Sequence, residues 1–373
     1  MIRDFTVRRI SAGKLVTTRR IPAVIAVRRR AARCLASTDV VKLDTGAWVV
    51  APRYRSKGVV HFLGGAFAGA APQLVYGFIL DAVAAAGYTA VATPYAVTFR
   101  HDECARGVRQ QFLDSVDELR RSGRGDWAPL EVPTLGLGHS NGSLMHLLIG
   151  SFFPGATESN ILMSFNNKQV KDAIPVPGLM ENLPGALQAA RTVAPDLPNL
   201  SAVPGLSALP LPSQLPSGAD LLRGVASLLP RELGLDTAGQ LSGAGLLIDQ
   251  IPSVFGEVGG GATDFYPSPA ESRALISAGY SVRSTLLIRF SDDSIDESAE
   301  IARLLRPRLG SGVTLLNLPG NHLTPCGGDV PWPTGPVFGP ADVLVQVLKE
   351  QQQNDIQRLC RQVVGWMEAI STR

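Results

Sequence analysis

The chain has 373 residues, of which 45% are hydrophobic and 18% are charged, and this composition excludes a disordered protein and predicts a substantial core. Its net charge of +3 is uneven, because residues 1–35 carry ten basic side chains against one acid, Asp4. The rest of the chain is therefore net acidic, and a nucleic-acid-binding face on it is not expected. No run of about 18 uninterrupted apolar residues occurs, which argues against a transmembrane helix. The four cysteines lack metal-ligand spacing and are expected to be reduced thiols.

Residues 1–37 have the composition of an organellar transit peptide, since they are rich in Arg, nearly free of acids and dotted with hydroxyl side chains. They lack the single apolar core of a secretory signal. A disordered basic tail that binds RNA or anionic lipid is the alternative interpretation. In both cases we expect the fold to begin near residue 38.

From there the sequence alternates between short apolar runs typical of strands and longer runs typical of helices. The predicted elements in chain order are strands at 46–53 and 59–65, a helix at 72–86, a strand at 88–95, a helix at 102–121, a strand and helix within 133–149, a strand at 158–165, a helix at 269–278, a strand at 284–291, a helix at 296–308, a strand at 313–320 and a helical region at 340–371. Such alternation requires crossover connections. It therefore predicts an α/β fold with a mostly parallel central sheet covered by helices on both faces.

The alternation stops between residues 168 and 265. This stretch is rich in Pro, Leu, Gly and Ser and poor in charge, and a structureless loop of that length is unusual in a compact domain. We therefore predict a cap of short helices, 168–265, inserted between two parts of one core, 38–167 and 266–373. Its apolar composition favours an oily substrate at an active-site entrance or peripheral membrane contact. An ordinary helical insertion or a low-complexity expansion is the alternative.

The segment 133–149, PTLGLGHSNGSLMHLLI, reads as a buried strand, a sharp turn and an apolar helix. Within it Gly138, Ser140 and Gly142 fit G-x-S-x-G, the nucleophile elbow of α/β-hydrolases. The serine of such an elbow sits at a strained tip, so that its hydroxyl projects above the sheet. The two flanking positions crowd each other and the backbone, and glycine has no Cβ to clash. Ser140 is therefore the candidate nucleophile.

A serine hydroxyl becomes a useful nucleophile when a base takes its proton and a third group orients that base. In α/β-hydrolases the acid follows the serine in the chain, at the end of a late strand. The stretch TLLIRFSDDSID at 285–296 supplies it. Asp293 is the first choice and Asp292 the second, whereas Asp296 is expected to cap the following helix.

The base is a histidine that follows the acid in the chain. His322, in the loop LPGNHLTPC at 318–326, is the only one of the five histidines downstream of these acids. His139 occupies the variable site of the elbow motif and is interpreted as a flanking residue. His146, further along the elbow helix, is interpreted as a packing or polar contact.

An oxyanion hole needs two backbone N–H groups aimed at the charge that develops during acyl transfer. Asn141, directly after the nucleophile, is expected to supply one. The glycine-rich turn VVHFLGGAFAG at 59–69 is expected to supply the other, from Ala66 or, as second choice, Phe67. This turn lacks the G-x-G-x-x-G spacing of a dinucleotide loop, and no Walker lysine follows it. No metal or organic cofactor is implied.

Four strings resemble the DUF1350 family: VHFLGGAFAGAAPQ at 60–73, GLGHSNG at 136–142, FSDDSIDE at 290–297 and LPGNHLTP at 318–325. The resemblance spans about residues 45–350 and thins within 168–265. The family occurs in cyanobacteria and plastid-bearing organisms and is described as α/β-hydrolase-like, without an established substrate. The resemblance thus implies an α/β-hydrolase fold and carries over Ser140, Asp293 and His322 as a catalytic triad. It also favours the chloroplast, stroma or thylakoid-associated, over the mitochondrion.

These observations lead to the hypothesis of a serine esterase or lipase-like hydrolase that acts on a lipid or acyl ester through an acyl-enzyme. Two alternatives stay open. The fold could serve as a non-catalytic binding or assembly module for apolar ligands or thylakoid membrane complexes. It could also be an acyltransferase that uses the same triad with an alcohol or thiol as the acceptor, which the sequence does not distinguish from hydrolysis.

Overall fold

The computed structural model describes residues 38–66, 68–168, 257, 264–326 and 340–371. The predicted transit segment 1–37 lies outside the described residues, and so does nearly all of the predicted cap 168–265. Phe67, the second choice for an oxyanion donor, also lies outside them. The helices in the described part of the chain lack the combination of length and apolarity needed to cross a membrane.

The described strands form one eight-stranded sheet in the order β1-β2-β4-β3-β5-β6-β7-β8. They are β1 (Thr38–Lys42), β2 (Trp48–Pro52), β3 (Val59–Leu63), β4 (Thr89–Ala92), β5 (Thr134–His139), β6 (Ser159–Met163), β7 (Ser284–Phe290) and β8 (Val313–Leu318). β2 runs antiparallel to both of its neighbours, β1 and β4. All pairs from β4 to β8 are parallel. This arrangement confirms the predicted α/β-hydrolase fold.

The α-helices of the described residues are α1 (Pro72–Val75), α2 (Gly77–Ala85), α3 (His101–Arg121), α4 (Asn141–Phe152), α5 (Pro269–Gly279), α6 (Ser298–Leu309) and α7 (Pro340–Ser371). On one face of the sheet, α2 and α7 share a core with strand residues such as Phe62 and Ile288. On the other face, residues of α3 to α6 share a core with the alternate strand positions, such as Leu63 and Leu287. Strand side chains point alternately to the two faces, so the near-continuous apolar runs in the sequence reflect burial on both.

Two elements differ from the sequence-based expectation. Strand β1 was not predicted, because it is an edge strand in which Val40 is 55% exposed and the apolar alternation is weak. The predicted helix at 72–86 is interrupted at Tyr76, whose φ of −114° and ψ of 19° are not helical. The interruption accompanies complete burial of the Tyr76 side chain, which lies beneath the loop that follows β3.

The parallel strands place several loops at one edge of the sheet. The carboxyl ends of β3, β5, β7 and β8 all lie there, followed by the glycine-rich turn, Ser140, Asp293 and His322 respectively. In open α/β sheets this is the edge at which ligands bind. Residues as far apart in the chain as Gly64 and His322 are thereby brought to one edge of the sheet.

Candidate active site

Ser140 occupies the turn between β5 and α4 with φ 53° and ψ −118°. A non-glycine residue with positive φ is strained and persists only where the surrounding structure enforces it. The backbone packs closely against the two glycines that flank Ser140. A Cβ on Gly138 would lie 2.6 Å from the carbonyl oxygen of Gly142, and a Cβ on Gly142 would collide with the carbonyl oxygen of Leu63. Both positions therefore require glycine, as the elbow motif predicts.

Three predicted residues form one hydrogen-bonded chain. Nε2 of His322 lies 3.0 Å from Oγ of Ser140, and Nδ1 of His322 lies 2.8 Å from Oδ2 of Asp293. An ionised carboxylate only accepts hydrogen bonds, so Nδ1 carries the proton and Nε2 is left as the acceptor for the serine hydroxyl. This tautomer is the one that can take a proton from Ser140.

The acid is sequestered from water. The Asp293 side chain is 0% exposed, while that of His322 is 21% exposed. Burial alone would raise the pKa of the Asp293 carboxyl, but the hydrogen bond from His322 and the electrostatic interaction with it outweigh burial, and the net pKa is lowered. The second oxygen of Asp293 accepts the backbone N–H of Ile295 at 3.2 Å. The carboxylate is thus held ionised and in a fixed orientation.

The two other aspartates of this loop have different environments. Asp292 is exposed, and its backbone N–H donates to the carbonyl oxygen of Gly320. The carboxylate of Asp296 accepts from the backbone N–H of Ser298 at 3.1 Å and from its hydroxyl at 2.7 Å, at the start of α6. Asp296 therefore binds the first turn of the helix, and neither residue hydrogen-bonds to the imidazole of His322 in the described structure.

The other two histidines of the elbow region are buried. His146 lies on α4, and its Nε2 is 3.0 Å from the carbonyl oxygen of His61. Burial lowers the pKa of His146 to about 4, so its imidazole is neutral at pH 7. His139 contacts the backbone of His322 directly, with 2.8 Å between Nε2 and the His322 carbonyl oxygen. The expectation that His139 merely flanks the nucleophile therefore misses a contact with the loop of the base.

The two candidate oxyanion donors are the backbone N–H groups of Asn141 and Ala66. Asn141 is the first residue of α4, where backbone N–H groups have no partner within the helix. Ala66 follows Gly65, and a Cβ on Gly65 would lie 3.2 Å from Cβ of Ser140, so this turn runs directly beside the nucleophile. Within the described part of the chain, neither N–H has a hydrogen-bond acceptor. Both are free to serve a ligand atom.

Sequence reasoning did not single out two tyrosines that contact the glycine-rich turn. Tyr76 receives a hydrogen bond from Gly65, and Tyr95 donates one to Gly64. No motif marks either residue, because each lies in an apolar stretch that is also compatible with simple core packing. Among the described residues, no group of three or more His, Cys, Asp or Glu side chains is arranged to hold a metal ion.

The sequence profile described as "Protein of unknown function (DUF1350)" matches residues 42–203 and 242–369. The chain belongs to the DUF1350 family. The resemblance noted in the sequence is thereby confirmed. No curated protein sequence matches this DUF1350 member significantly.

Solved structures similar to this DUF1350 protein are remote in sequence. The thioesterase domain from the curacin biosynthetic pathway is 13% identical, with a TM-score of 0.41, and the match covers 83% of this chain and 98% of that one. Cfl2 from Burkholderia cenocepacia is 12% identical, with a TM-score of 0.43 and coverage of 84% and 94%. Carboxyl esterase 2 from the mycorrhizal fungus Tuber melanosporum is 14% identical, with a TM-score of 0.39 and coverage of 86% and 87%. At these identities no substrate is transferred to this chain.

Proposed function

We propose that this DUF1350 protein is a serine hydrolase that cleaves a carboxylic ester through an acyl-enzyme. The observation that carries the proposal is the hydrogen-bonded chain from Ser140 through His322 to the buried Asp293, with Ser140 on a strained elbow. A structural serine has no need of positive φ, an acceptor nitrogen on its hydroxyl and a buried acid behind that nitrogen. An activated nucleophile needs all three.

The reaction follows from the proton positions. Oγ of Ser140 attacks the ester carbonyl carbon while its proton passes to Nε2 of His322, and Asp293 stabilises the imidazolium that results. The carbonyl oxygen becomes an oxyanion, which accepts hydrogen bonds from the backbone N–H groups of Asn141 and Ala66. Collapse of this intermediate breaks the ester C–O bond, and the alcohol leaves with the proton from His322. Water then attacks the acyl-enzyme by the same route and releases the carboxylic acid.

We propose a lipid or acyl ester as the substrate class. Its support is the composition of the stretch 168–265, which is rich in Leu and Pro and poor in charge. In the chain this stretch follows β6, whose carboxyl end lies at the sheet edge that carries Ser140. Apolar residues in a binding site favour an apolar acyl chain. Acyl transfer to an alcohol or thiol uses the same triad and is the second candidate, distinguished by whether water or the added acceptor appears in the product.

The test is labelling of the full chain with a fluorophosphonate, followed by mass spectrometry of the adduct. We expect the adduct on Ser140, and we expect Ser140→Ala and His322→Ala to lose it. Labelling that persists in Ser140→Ala would remove this residue from the mechanism. A folded wild-type protein that is never labelled, and that binds lipid vesicles equally well with Ser140 or His322 replaced, would favour the non-catalytic binding module instead.

A further inference from the structure

The end of the glycine-rich turn that carries Ala66, residues 64–66, is called the oxyanion turn below. One of its peptide units is hydrogen-bonded at both ends to buried tyrosines. The Tyr95 hydroxyl donates to the carbonyl oxygen of Gly64 at 2.6 Å, and the N–H of Gly65 donates to the Tyr76 hydroxyl at 2.8 Å. This carbonyl and this N–H belong to the same peptide bond, Gly64–Gly65, which is one peptide bond before the one that carries the Ala66 N–H. Tyr76 is 0% exposed and Tyr95 is 9% exposed, so water does not compete for either contact.

The Tyr76 hydroxyl also connects this turn to the loop of the base. Its oxygen lies 2.8 Å from Nδ1 of His139, and Nε2 of His139 lies 2.8 Å from the carbonyl oxygen of His322. A carbonyl oxygen only accepts, so Nε2 carries the His139 proton, Nδ1 is an acceptor, and Tyr76 donates to it. The network therefore has one consistent set of donors, running from Gly65 through Tyr76 and His139 to His322.

The protonation states suit this direction. Burial, together with the nearby charge of His322, lowers the pKa of His139 to about 3, so the ring is neutral at pH 7. Burial raises the pKa of the Tyr76 hydroxyl well above its usual range, so its proton is retained. The thiol of Cys326 lies alongside, with Sγ 4.0 Å from Nδ1 of His139.

The geometry points to Tyr76 as a positioning residue that fixes the oxyanion turn relative to the loop of His322, an inference that rests on the proposed hydrolase function. The turn contains consecutive glycines, Gly64 and Gly65, which have the widest conformational freedom of any residue. The Tyr76 ring fills the space beside them, since a Cβ on Gly64 would lie 2.6 Å from the ring. An oxyanion hole is effective because its donors are fixed before reaction, and Tyr76 holds the turn that carries one of the two candidate donors, Ala66.

Loss of the Tyr76 hydroxyl should slow the chemical step, whereas loss of an ordinary buried hydroxyl should not. Replacing Tyr76 by Phe keeps the ring but leaves the Gly65 N–H and Nδ1 of His139 without their partner. The turn and the base loop would then shift relative to each other, and stabilisation of the transition state would decrease more than binding of the probe. A purely structural hydroxyl would lower the stability of the fold and leave the chemical step unchanged.

The matched control is Tyr280→Phe. Tyr280 is also fully buried, and its hydroxyl lies 3.0 Å from Nδ2 of Asn160 and 2.8 Å from Oγ1 of Thr285. Asn160 and Thr285 lie near the amino ends of β6 and β7, at the edge of the sheet opposite to Ser140. The substitution therefore removes the same atom from an equally buried site that does not touch the reacting groups.

The experiment measures the rate constant of inactivation and the binding constant of a fluorophosphonate for each full-chain variant. We expect Tyr76→Phe to lower the inactivation rate constant at least about tenfold with little change in the binding constant, and Tyr280→Phe to leave both near wild type. Tyr95→Phe, which releases the other end of the same peptide, should also lower the rate constant, and the double variant should lose less than the product of the two single losses.

The outcomes separate the two proposals. If wild type is labelled on Ser140 and both Tyr76→Phe and Tyr95→Phe react as fast as Tyr280→Phe, the positioning role is overturned while the hydrolase function stands. If Tyr76→Phe fails to fold, Tyr95→Phe decides the question alone. If wild type is not labelled, the proposed function fails, and the positioning role fails with it.

Discussion

The carboxylate of Asp293 lies 2.8 Å from Nδ1 of His322, whereas Asp292, one residue earlier, is exposed to solvent. The sequence favours Asp293 only by its distance from the start of β7. The structure separates the two by burial, because the Asp293 side chain is 0% exposed and faces the imidazole. This difference yields a direct test of the acid.

We predict that Asp293→Asn slows fluorophosphonate labelling of Ser140 on the order of 10³–10⁴-fold, because an amide at this site favours the tautomer with its proton on Nε2. Asp292→Asn is the matched control and should react as fast as wild type. Rate constants of labelling at pH 8 provide the measurement. A larger loss in the Asp292 variant would reassign the acid.

A second prediction concerns stability in acid. Burial lowers the pKa of His101 to about 4, of His139 to about 3 and of His146 to about 4. The unfolded chain takes up protons on these rings below about pH 6.5, whereas the folded chain does not until much lower pH. The free energy of unfolding should therefore decrease as the pH falls from about 6.5 towards 4.

Urea unfolding at pH 7 and at pH 5 measures this effect. His146→Gln provides the comparison, because it removes a buried titratable ring that is not part of the candidate triad. The variant should lose less stability than wild type between the two pH values, whatever its stability at pH 7. Equal losses in the two proteins would contradict the assignment of His146 as a neutral buried ring.

The elbow glycines give a third prediction. Gly142→Ala should lower the free energy of unfolding by about 1–3 kcal/mol or more, since the added Cβ meets the backbone of Leu63 and neither side can move independently. Gly107→Ala is the control. Gly107 lies exposed within α3 with no atom within 4 Å of an added Cβ, and the substitution should stabilise the protein by about 0.5–1 kcal/mol. Chemical unfolding measures the free energy of unfolding of each variant. Equal values for the two variants would contradict the close packing at Gly142.

A fourth prediction concerns the localisation of the protein in the cell. We propose that residues 1–37, with their excess of Arg and near absence of acids, direct the protein to the chloroplast. A fluorescent protein fused to this segment should accumulate in chloroplasts of plant cells. The same fusion with the Arg residues of the segment replaced by Gln should stay outside. Accumulation in mitochondria would correct the destination.

The sequence predicts the fold well because the central strands are buried on both faces. β5, β6 and β7 are almost entirely buried, and their short apolar stretches, which alternate with longer helical stretches, indicate strands by their length and their flanking turn residues. Strand β1 is missed because an edge strand with polar positions carries little of this signal. The break at Tyr76 is missed because it accompanies a tertiary hydrogen bond from Gly65 to the Tyr76 hydroxyl, which local propensity does not contain.

The same distinction applies to the candidate site. Ser140, Asp293 and His322 can be named from the sequence because the roles proposed for them require particular motif letters and a particular chain order. Tyr76 and His139 are not, because their roles depend on which backbone groups they meet after the sheet has formed. His139 occupies a variable position of G-x-S-x-G, where the motif accepts any residue, so the motif does not indicate a function for it although it lies next to Ser140.

Strands β6 and β7 pair in parallel along five positions, from Ser159 with Ser284 to Met163 with Ile288, although residues 164–283 separate them in the chain. This register is formed by the backbones of the two strands themselves. A change of length or composition between residues 169 and 256 alters no residue of this pairing. On the proposed function, in which this stretch lines the substrate entrance, substrate preference and chemistry would be encoded in separable parts of the gene, and relatives could diverge in what they accept while keeping the same reacting atoms.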